Sequence, residues 1–215
     1  MTRFADPVVM WRGSTNPSAP LVVLLHGRGS NEADIIDLAD HLPAGAAYAA
    51  VRAPMAEGGG YAWFANRGIG RPLPESLAAT MAWFRTWLAT TTTATDRPVV
   101  LVGFSGGAAF AGGLILDDPA RWAGAAILFG TLPWDAEVPT DPGRLDGTRV
   151  LVVHGERDTV IPRELLDRTW NYLTTDAGSA TTAIRDPGGH GLSPDALSNL
   201  QGWLATTLAD VGATS

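Results

Sequence analysis

Residues 103–107 read Gly-Phe-Ser-Gly-Gly, and the segments on either side of them decide the predicted fold. Residues 97–102 are mostly apolar and β-branched, which is typical of a buried strand, and residues 108–116 read as a helix packed closely against a sheet. A Gly-x-Ser-x-Gly pattern between a strand and a helix predicts a sharp turn that presents its serine at the top of the sheet. Ser105 is therefore the candidate nucleophile.

Strand-like and helix-like segments alternate along the rest of the chain. The predicted strands cover residues 8–12, 21–25, 47–53, 123–129, 149–153 and 181–185. Helical spacing of apolar residues predicts helices near residues 31–42, 75–89, 162–173 and 197–208. This alternation indicates an α/β fold with a mostly parallel central sheet and helices on both faces, in a single domain spanning residues 1–215 without a cap domain.

Composition and charge argue against several classes of function. The net charge is −7 and the pI is near 4.9, which argues against binding of nucleic acid or anionic membranes. The chain has no cysteine, and no apolar run approaches the roughly 20 residues that span a bilayer. Because the first residues lack the apolar stretch of a signal peptide, we expect a cytoplasmic protein. We expect it to be either a monomer or a homodimer. No dinucleotide fingerprint, phosphate-binding loop or metal-ligand cluster is recognisable, so we expect no cofactor and no metal.

A nucleophilic serine requires a base, and the chain offers only four histidines. In this kind of strand–turn–helix arrangement the base follows the nucleophile, which leaves His154 and His190. His154 directly ends a predicted strand, where we expect a structural role. His190 lies in a glycine-rich loop before the last predicted helix, and such a loop can bring an imidazole over the strand ends. His190 is therefore the candidate base, and an exposed loop histidine is the alternative.

The acid that orients the base is expected between nucleophile and base in the chain. Asp158 follows the predicted strand at residues 149–153, in a turn just before a helix, and is the preferred candidate. Glu156 is too close to the strand end, Asp186 lies on the histidine loop itself, and Asp195 is placed to compensate a helix dipole. An ordinary turn or helix-entry role is the alternative for Asp158.

A tetrahedral intermediate also requires hydrogen-bond donors for its oxyanion. The backbone amide of Gly106, directly after the nucleophile, is expected to be one donor. Residues 26–30, His-Gly-Arg-Gly-Ser, follow a predicted strand and favour a backbone bend that turns amides toward the site. The amide of Arg28 is the second candidate donor. The alternative is that these glycines only make a tight turn.

These segments resemble the α/β-hydrolase superfamily and, more narrowly, the phospholipase/carboxylesterase group of small lidless serine esterases related to acyl-protein thioesterases. The matching segments are residues 24–32, 52–54, 103–107, 154–162 and 189–190, spread over nearly the whole chain. The resemblance implies that Ser105, Asp158 and His190 are catalytic and that the amides of Arg28 and Gly106 form the oxyanion hole. Many members of the group carry glutamine after the serine, where this chain has Gly106, so any contact of that side chain is lost.

The predicted activity is that of a serine carboxylesterase acting on small-molecule esters with short or medium acyl chains, with thioesters and lysophospholipids as related substrates. Residues 55–71 are rich in glycine and aromatic residues. They form either a wall of the substrate pocket, through Trp63 and Phe64, or a surface loop that folds its aromatic side chains onto the core. Trp134, which follows another predicted strand, is a third candidate for the pocket wall.

Three other functions are alternatives at this point. A hydrolase of lactones or aromatic-ring derivatives could use the same side chains, because fold and triad do not determine the acyl group. A peptidase would need an added domain or a charged pocket, and neither is recognisable. A non-catalytic ligand-binding module would be expected to lack a triad member or an oxyanion glycine, whereas this chain retains all of them.

Overall fold

The computed structural model describes residues 4–92 and 97–213, in which strands and helices alternate. The strands are β1 (Val9–Gly13), β2 (Leu21–Leu25), β3 (Ala47–Val51), β4 (Met55–Glu57), β5 (Gly60–Ala62), β6 (Asn66–Gly68), β7 (Arg71–Pro72), β8 (Val99–Phe104), β9 (Gly124–Leu128), β10 (Arg149–Gly155) and β11 (Ala180–Asp186). The helices are α1 (Glu32–Ile36), α2 (Pro74–Thr92), α3 (Gly106–Asp117), α4 (Arg163–Asn171) and α5 (Pro194–Ala213).

Seven of these strands form the central sheet, in the order β1-β3-β2-β8-β9-β10-β11. The edge strand β1 runs antiparallel to β3, and the other pairings in the sheet are parallel. Strands β2, β3 and β9 are buried at every residue, as expected where helices cover both faces of a parallel sheet. The predicted α/β fold with a mostly parallel sheet is confirmed.

The helices divide the core into two layers, one on each face of the sheet. On one face, Phe84 of α2 and Phe110 of α3 pack against alternate side chains of β2 and β8. On the other face, Ile36 of α1 and Leu200 of α5 pack against the intervening side chains of the same strands. Each central strand therefore buries side chains on both of its faces, which is why its sequence is continuously apolar rather than alternating.

The segment after β3 differs most from the sequence-based expectation. It contains two antiparallel hairpins, β4–β5 and β6–β7, which the sequence analysis did not predict. Strands of two or three residues are too short to produce a recognisable alternation of apolar and polar side chains. No cap domain is present in the described part of the chain, and none of its helices is long and apolar enough to cross a membrane.

Candidate active site

Ser105 lies in the sharp turn between β8 and α3. Its φ of 53° and ψ of −112° are unfavourable for a residue that carries a side chain. Two contacts hold the turn in this conformation. The Ser105 amide donates to the carbonyl of Leu128 at 2.9 Å, and Gly107 packs so closely that an added Cβ would collide with the carbonyl of Leu25. The tight strand–helix approach thus positions the serine hydroxyl.

His190 lies in the loop between β11 and α5, and its Nε2 is 2.9 Å from Oγ of Ser105. The buried carboxylate of Asp186 braces this loop, because it accepts hydrogen bonds from the amide of Gly188, at 2.7 Å, and from the hydroxyl of Ser193. Asp186 was one of the alternative acids, and these bonds give it a different task. It fixes the loop that carries the imidazole.

Asp158 lies in the turn after β10, and its Oδ2 is 2.8 Å from Nδ1 of His190. The side chain is completely buried, while its Oδ1 accepts hydrogen bonds from the amides of Val160, at 2.8 Å, and Ile161, at 3.1 Å. Burial alone would raise the pKa of Asp158, but the hydrogen bonds from His190 and the two amides outweigh it and hold the pKa below its ordinary value. An ionised carboxylate only accepts hydrogen bonds, so the proton of the imidazole resides on Nδ1. Nε2 is then free to accept from Ser105.

The Arg28 loop approaches α3 at Gly106, the residue directly after Ser105. A Cβ added to Gly106 would stand 3.2 Å from the backbone nitrogen of Arg28, so a side chain there would press on the Arg28 loop. Gly106 is the first residue of α3, where an amide has no acceptor within the helix. Among residues 4–92 and 97–213, no backbone carbonyl accepts from the Arg28 amide. Two neighbouring amides without acceptors, one at a helix N-terminus, suit stabilisation of a developing oxyanion.

His26 organises the loop that carries Arg28, a role that the sequence analysis did not assign. Its Nε2 accepts from the amide of Ala53 at 3.1 Å, so its Nδ1 carries the proton and donates to the carbonyl of Gly27 at 2.7 Å. Burial lowers the pKa of His26, and this outweighs the opposing effect of the hydrogen bond to Gly27. A neutral imidazole is required, because only that form accepts a hydrogen bond. The signal in the sequence was the position of His26 at the end of a buried strand.

A cleft of about 940 Å³ opens at Ser105 and His190, and its wall is mainly apolar. Most of its apolar side chains come from two groups of segments: the α1 and α5 regions, and the β5–β7 segment with the turn after Asp158. They include Ile35, Leu38, Leu192 and Leu197 in the first group, and Phe64, Ile69, Val160 and Ile161 in the second. The carboxylates of Asp34, Asp37 and Glu57 also border the cleft. No group of three or more metal-ligating side chains occurs in the described residues.

Of the three aromatic residues predicted for the pocket wall, only Phe64 lines this cleft. Trp63 is 1% exposed and stacks on Phe110 at 4.5 Å between ring centroids, so it belongs to the core. Trp134 lies outside the cleft wall, where its ring packs under the guanidinium of Arg168 at 4.1 Å. The predictions for Trp63 and Trp134 were wrong for the same reason: an aromatic ring packs into a helix–sheet core as favourably as it lines a pocket.

Residues 10–208 match the model of a protein family described as phospholipase/carboxylesterase. The chain belongs to this family. The resemblance inferred from the motifs at residues 24–32, 103–107 and 154–162 is therefore confirmed. No curated protein matches the chain significantly in sequence.

Several solved structures, including those of two carboxylesterases, have the same fold. The Bacillus cereus carboxylesterase has a TM-score of 0.82 and 23% sequence identity, over 94% of this chain and 95% of its own. A carboxylesterase from Mesorhizobium loti has a TM-score of 0.75 and 26% identity, over 86% of this chain and 88% of its own. Arabidopsis thaliana SOBER1 has a TM-score of 0.74 and 19% identity, over 88% and 99%. Membership of this family indicates an esterase-type hydrolase, and these solved structures share its fold.

Proposed function

We propose that this protein is a serine carboxylesterase that hydrolyses short- to medium-chain carboxylic esters through an acyl-enzyme intermediate. The observation that carries the proposal is the continuous line of hydrogen-bonding groups from Asp158 through His190 to Ser105, with separations of 2.8 and 2.9 Å. A nucleophile, a base and an orienting acid in this order make up the arrangement that activates a serine hydroxyl.

In the acylation step, Oγ of Ser105 attacks the ester carbonyl while Nε2 of His190 takes the hydroxyl proton. The carbonyl oxygen becomes an oxyanion, which accepts hydrogen bonds from the amides of Arg28 and Gly106. Asp158 remains ionised and stabilises the imidazolium that forms. Collapse of the intermediate breaks the ester C–O bond, and Nε2 returns the proton to the departing alkoxide.

In the deacylation step, a water molecule replaces the alcohol beside His190. Nε2 takes one proton from this water, and the resulting hydroxide attacks the acyl carbonyl of Ser105. The same two amides stabilise the second oxyanion, and His190 then returns its proton to Oγ. The products are a carboxylic acid and the regenerated serine hydroxyl, so that one water is consumed for each ester.

The cleft favours neutral substrates with an apolar acyl or alcohol part. Its apolar wall is sized for a chain of several carbons, and a cavity of about 940 Å³ would accommodate both halves of a small ester. Asp34, Asp37 and Glu57 border it, and the nearby cation of Arg28 is already paired with Glu57. An anionic substrate group would therefore find repulsion rather than an unpaired cation.

The proposal is tested with p-nitrophenyl esters from acetate to palmitate, on the wild type and on Ser105→Ala and His190→Ala. We expect each variant to lower kcat by at least about 10³, because members of a triad act as a unit. Ser198→Ala is the matched control, since Ser198 is exposed on α5, and it should keep the wild-type rate. The chain-length optimum of the wild type then measures the acyl pocket.

Turnover at the wild-type rate in Ser105→Ala would contradict the proposal. A folded wild type that opens lactones and leaves every ester intact would favour the lactone alternative. Binding of an ester without turnover, unchanged in Ser105→Ala, would favour a ligand-binding module.

A further inference from the structure

The β4–β5 hairpin lies directly against the loop that supplies the Arg28 amide. The amide of Gly29 donates to the carbonyl of Tyr61 at 2.9 Å, and the amide of Tyr61 donates to the carbonyl of Ser30 at 2.9 Å. Gly60 of the hairpin approaches so closely that an added Cβ would collide with the carbonyl of Gly29. The two backbones are therefore in direct contact, with no side chain between them.

The side chain of Arg28 joins the same two segments a second time. Its Nε donates to Oε1 of Glu57 at 2.5 Å, and its Nη2 donates to Oε2 of the same carboxylate. Its Nη1 donates to the carbonyl of Phe64 at 3.0 Å. A bidentate guanidinium–carboxylate pair fixes the relative orientation of the two groups as well as their separation. Arg28, whose amide is the second proposed oxyanion donor, is thus bound through its side chain to both ends of the segment at residues 57–64.

Among the described residues, Arg28 makes no backbone hydrogen bond of its own, whereas its neighbour Gly27 accepts from Nδ1 of His26 at 2.7 Å and from the amide of Ser30 at 3.2 Å. Gly27 and Gly29 flank Arg28, and Gly29 has a φ of 79°, in the region that glycine adopts freely. The Arg28 amide lies in neither a helix nor a strand. The position of Arg28 between its anchored neighbours therefore depends on the contacts of its side chain.

We propose that Glu57 is a positioning residue: it binds the Arg28 guanidinium and thereby holds the Arg28 amide where the oxyanion forms. The inference rests on the proposed function, because it assigns the oxyanion site to that amide. An oxyanion donor acts only within about 2.7–3.1 Å of the developing charge, and a misplacement of about 1 Å can lower the rate by about 10²-fold. A small movement of this loop is enough to slow the reaction.

Because the Arg28–Glu57 ion pair is exposed, an effect of its loss on the reaction rate can be distinguished from an effect on the stability of the fold. The side chains of Arg28 and Glu57 are 35% and 40% exposed, and ion pairs this accessible contribute little to folding. Loss of Glu57 should therefore affect the rate much more than the melting temperature. A residue with a merely structural role would move both together.

The test compares Glu57→Gln with Asp117→Asn. The Arg85–Asp117 ion pair has a similar exposure, 37% and 43%, but it joins α2 to the end of α3, and neither residue lines the cleft. With p-nitrophenyl butyrate, Glu57→Gln should lower kcat about tenfold, with KM and Tm nearly unchanged, because the donor is displaced rather than removed. Asp117→Asn should keep the wild-type kcat.

Three further measurements test the inference. The inhibition constant of butylboronic acid, whose adduct with a serine carries an oxygen in the oxyanion position, should rise in Glu57→Gln by the same factor as kcat falls. Amide hydrogen exchange of the peptide at residues 26–31 should be faster in Glu57→Gln than in the wild type. The double variant Arg28→Gln/Glu57→Gln should be no slower than the slower single variant, because both changes break one interaction.

Unchanged kcat and unchanged exchange in Glu57→Gln would overturn the inference. It would also be overturned if Glu57→Gln raised kcat/KM for the anionic mono-p-nitrophenyl ester of glutaric acid and left the butyrate ester unaffected, since Glu57 would then only mask a substrate-binding cation. Ser105→Ala, measured in parallel, separates this outcome from failure of the proposed function. If that variant kept the wild-type rate, the esterase mechanism would fail, while the exchange experiment would still decide whether Glu57 holds the loop.

Discussion

Two buried histidines near the candidate site, His26 and His154, are both held in the neutral form by burial. His154 is the second-last residue of β10, and its Nε2–H donates to the carbonyl of Gly130 at 3.2 Å. Its Nδ1 is buried without a hydrogen-bond partner among the described residues. A proton on that nitrogen would be a buried charge without compensation, and burial accordingly lowers the pKa of His154 to about 4.

His154 should make the folded protein sensitive to acid. Between its ordinary pKa of 6.5 and its folded pKa of about 4, the unfolded chain binds a proton that the folded chain does not. The free energy of unfolding therefore falls as the pH drops through this range, by about 3 kcal/mol from this residue alone. Urea unfolding between pH 7.5 and pH 4.5 should show a weaker pH dependence in His154→Gln than in the wild type.

The control for this experiment is His41→Gln, which removes an exposed histidine. It should leave the wild-type pH dependence of unfolding in place. A His154→Gln curve that ran parallel to the wild-type curve over the whole pH range would contradict the assignment of the acid sensitivity to His154.

The roles of some residues could be predicted from chemical requirements, whereas the positions of others could not. Ser105, Asp158 and His190 were selected because a serine nucleophile needs a base and an acid in a fixed chain order, and the structure brings these three side chains together. Trp63 and Trp134 had no such constraint. Whether an aromatic ring fills a core or lines a cleft depends on packing across the whole molecule, which local sequence does not encode.

The β6–β7 hairpin contributes an exposed apolar rim to the cleft. Ile69, at its tip, is 55% exposed and borders the cleft, and Gly70 lies so close to α4 that an added Cβ would be 2.8 Å from the side chain of Leu165. The hairpin is therefore seated on the helix, with its isoleucine presented to solvent. We predict that a long acyl chain in the cleft covers this side chain.

Ile69→Ser should shift the preference of the enzyme toward short acyl chains. We expect kcat/KM for p-nitrophenyl octanoate to fall about fivefold, because part of the apolar area covered by the chain is lost. The acetate ester, which is too short to reach the rim, should change less than twofold. Val8→Ser is the control, since Val8 is exposed before the edge strand β1, away from the cleft. Equal losses for both esters would contradict this role of the hairpin.

Long elements were predictable and the short hairpins were not. Continuous apolar runs predict strands β2 and β8, and apolar residues at helical spacing predict α2. Strands β4 to β7 have two or three residues each and are held by contacts to distant segments, such as the bridge between Ser30 and Tyr61. Such pairings arise from the tertiary structure, so the β4–β5 support of the Arg28 loop was not visible in the sequence.

At the scale of the whole molecule, the sheet order explains how the site is assembled. Strands β8, β9, β10 and β11 are consecutive neighbours in the sheet, and Ser105, Asp158 and His190 follow the carboxyl ends of β8, β10 and β11. Carboxyl ends of parallel strands meet at one edge of a sheet, which is where open α/β folds bind their ligands. Residues separated by 85 positions along the chain therefore lie within hydrogen-bonding distance.

The most direct test of the central claim is covalent trapping of the nucleophile. A neutral alkyl fluorophosphonate should modify one residue per molecule, and peptide mass spectrometry should locate the adduct on Ser105. Ester turnover should disappear in proportion to labelling, and Ser105→Ala should not be labelled. Loss of turnover with the adduct on another residue, or full turnover in protein labelled completely at Ser105, would contradict the assignment of Ser105 as the nucleophile.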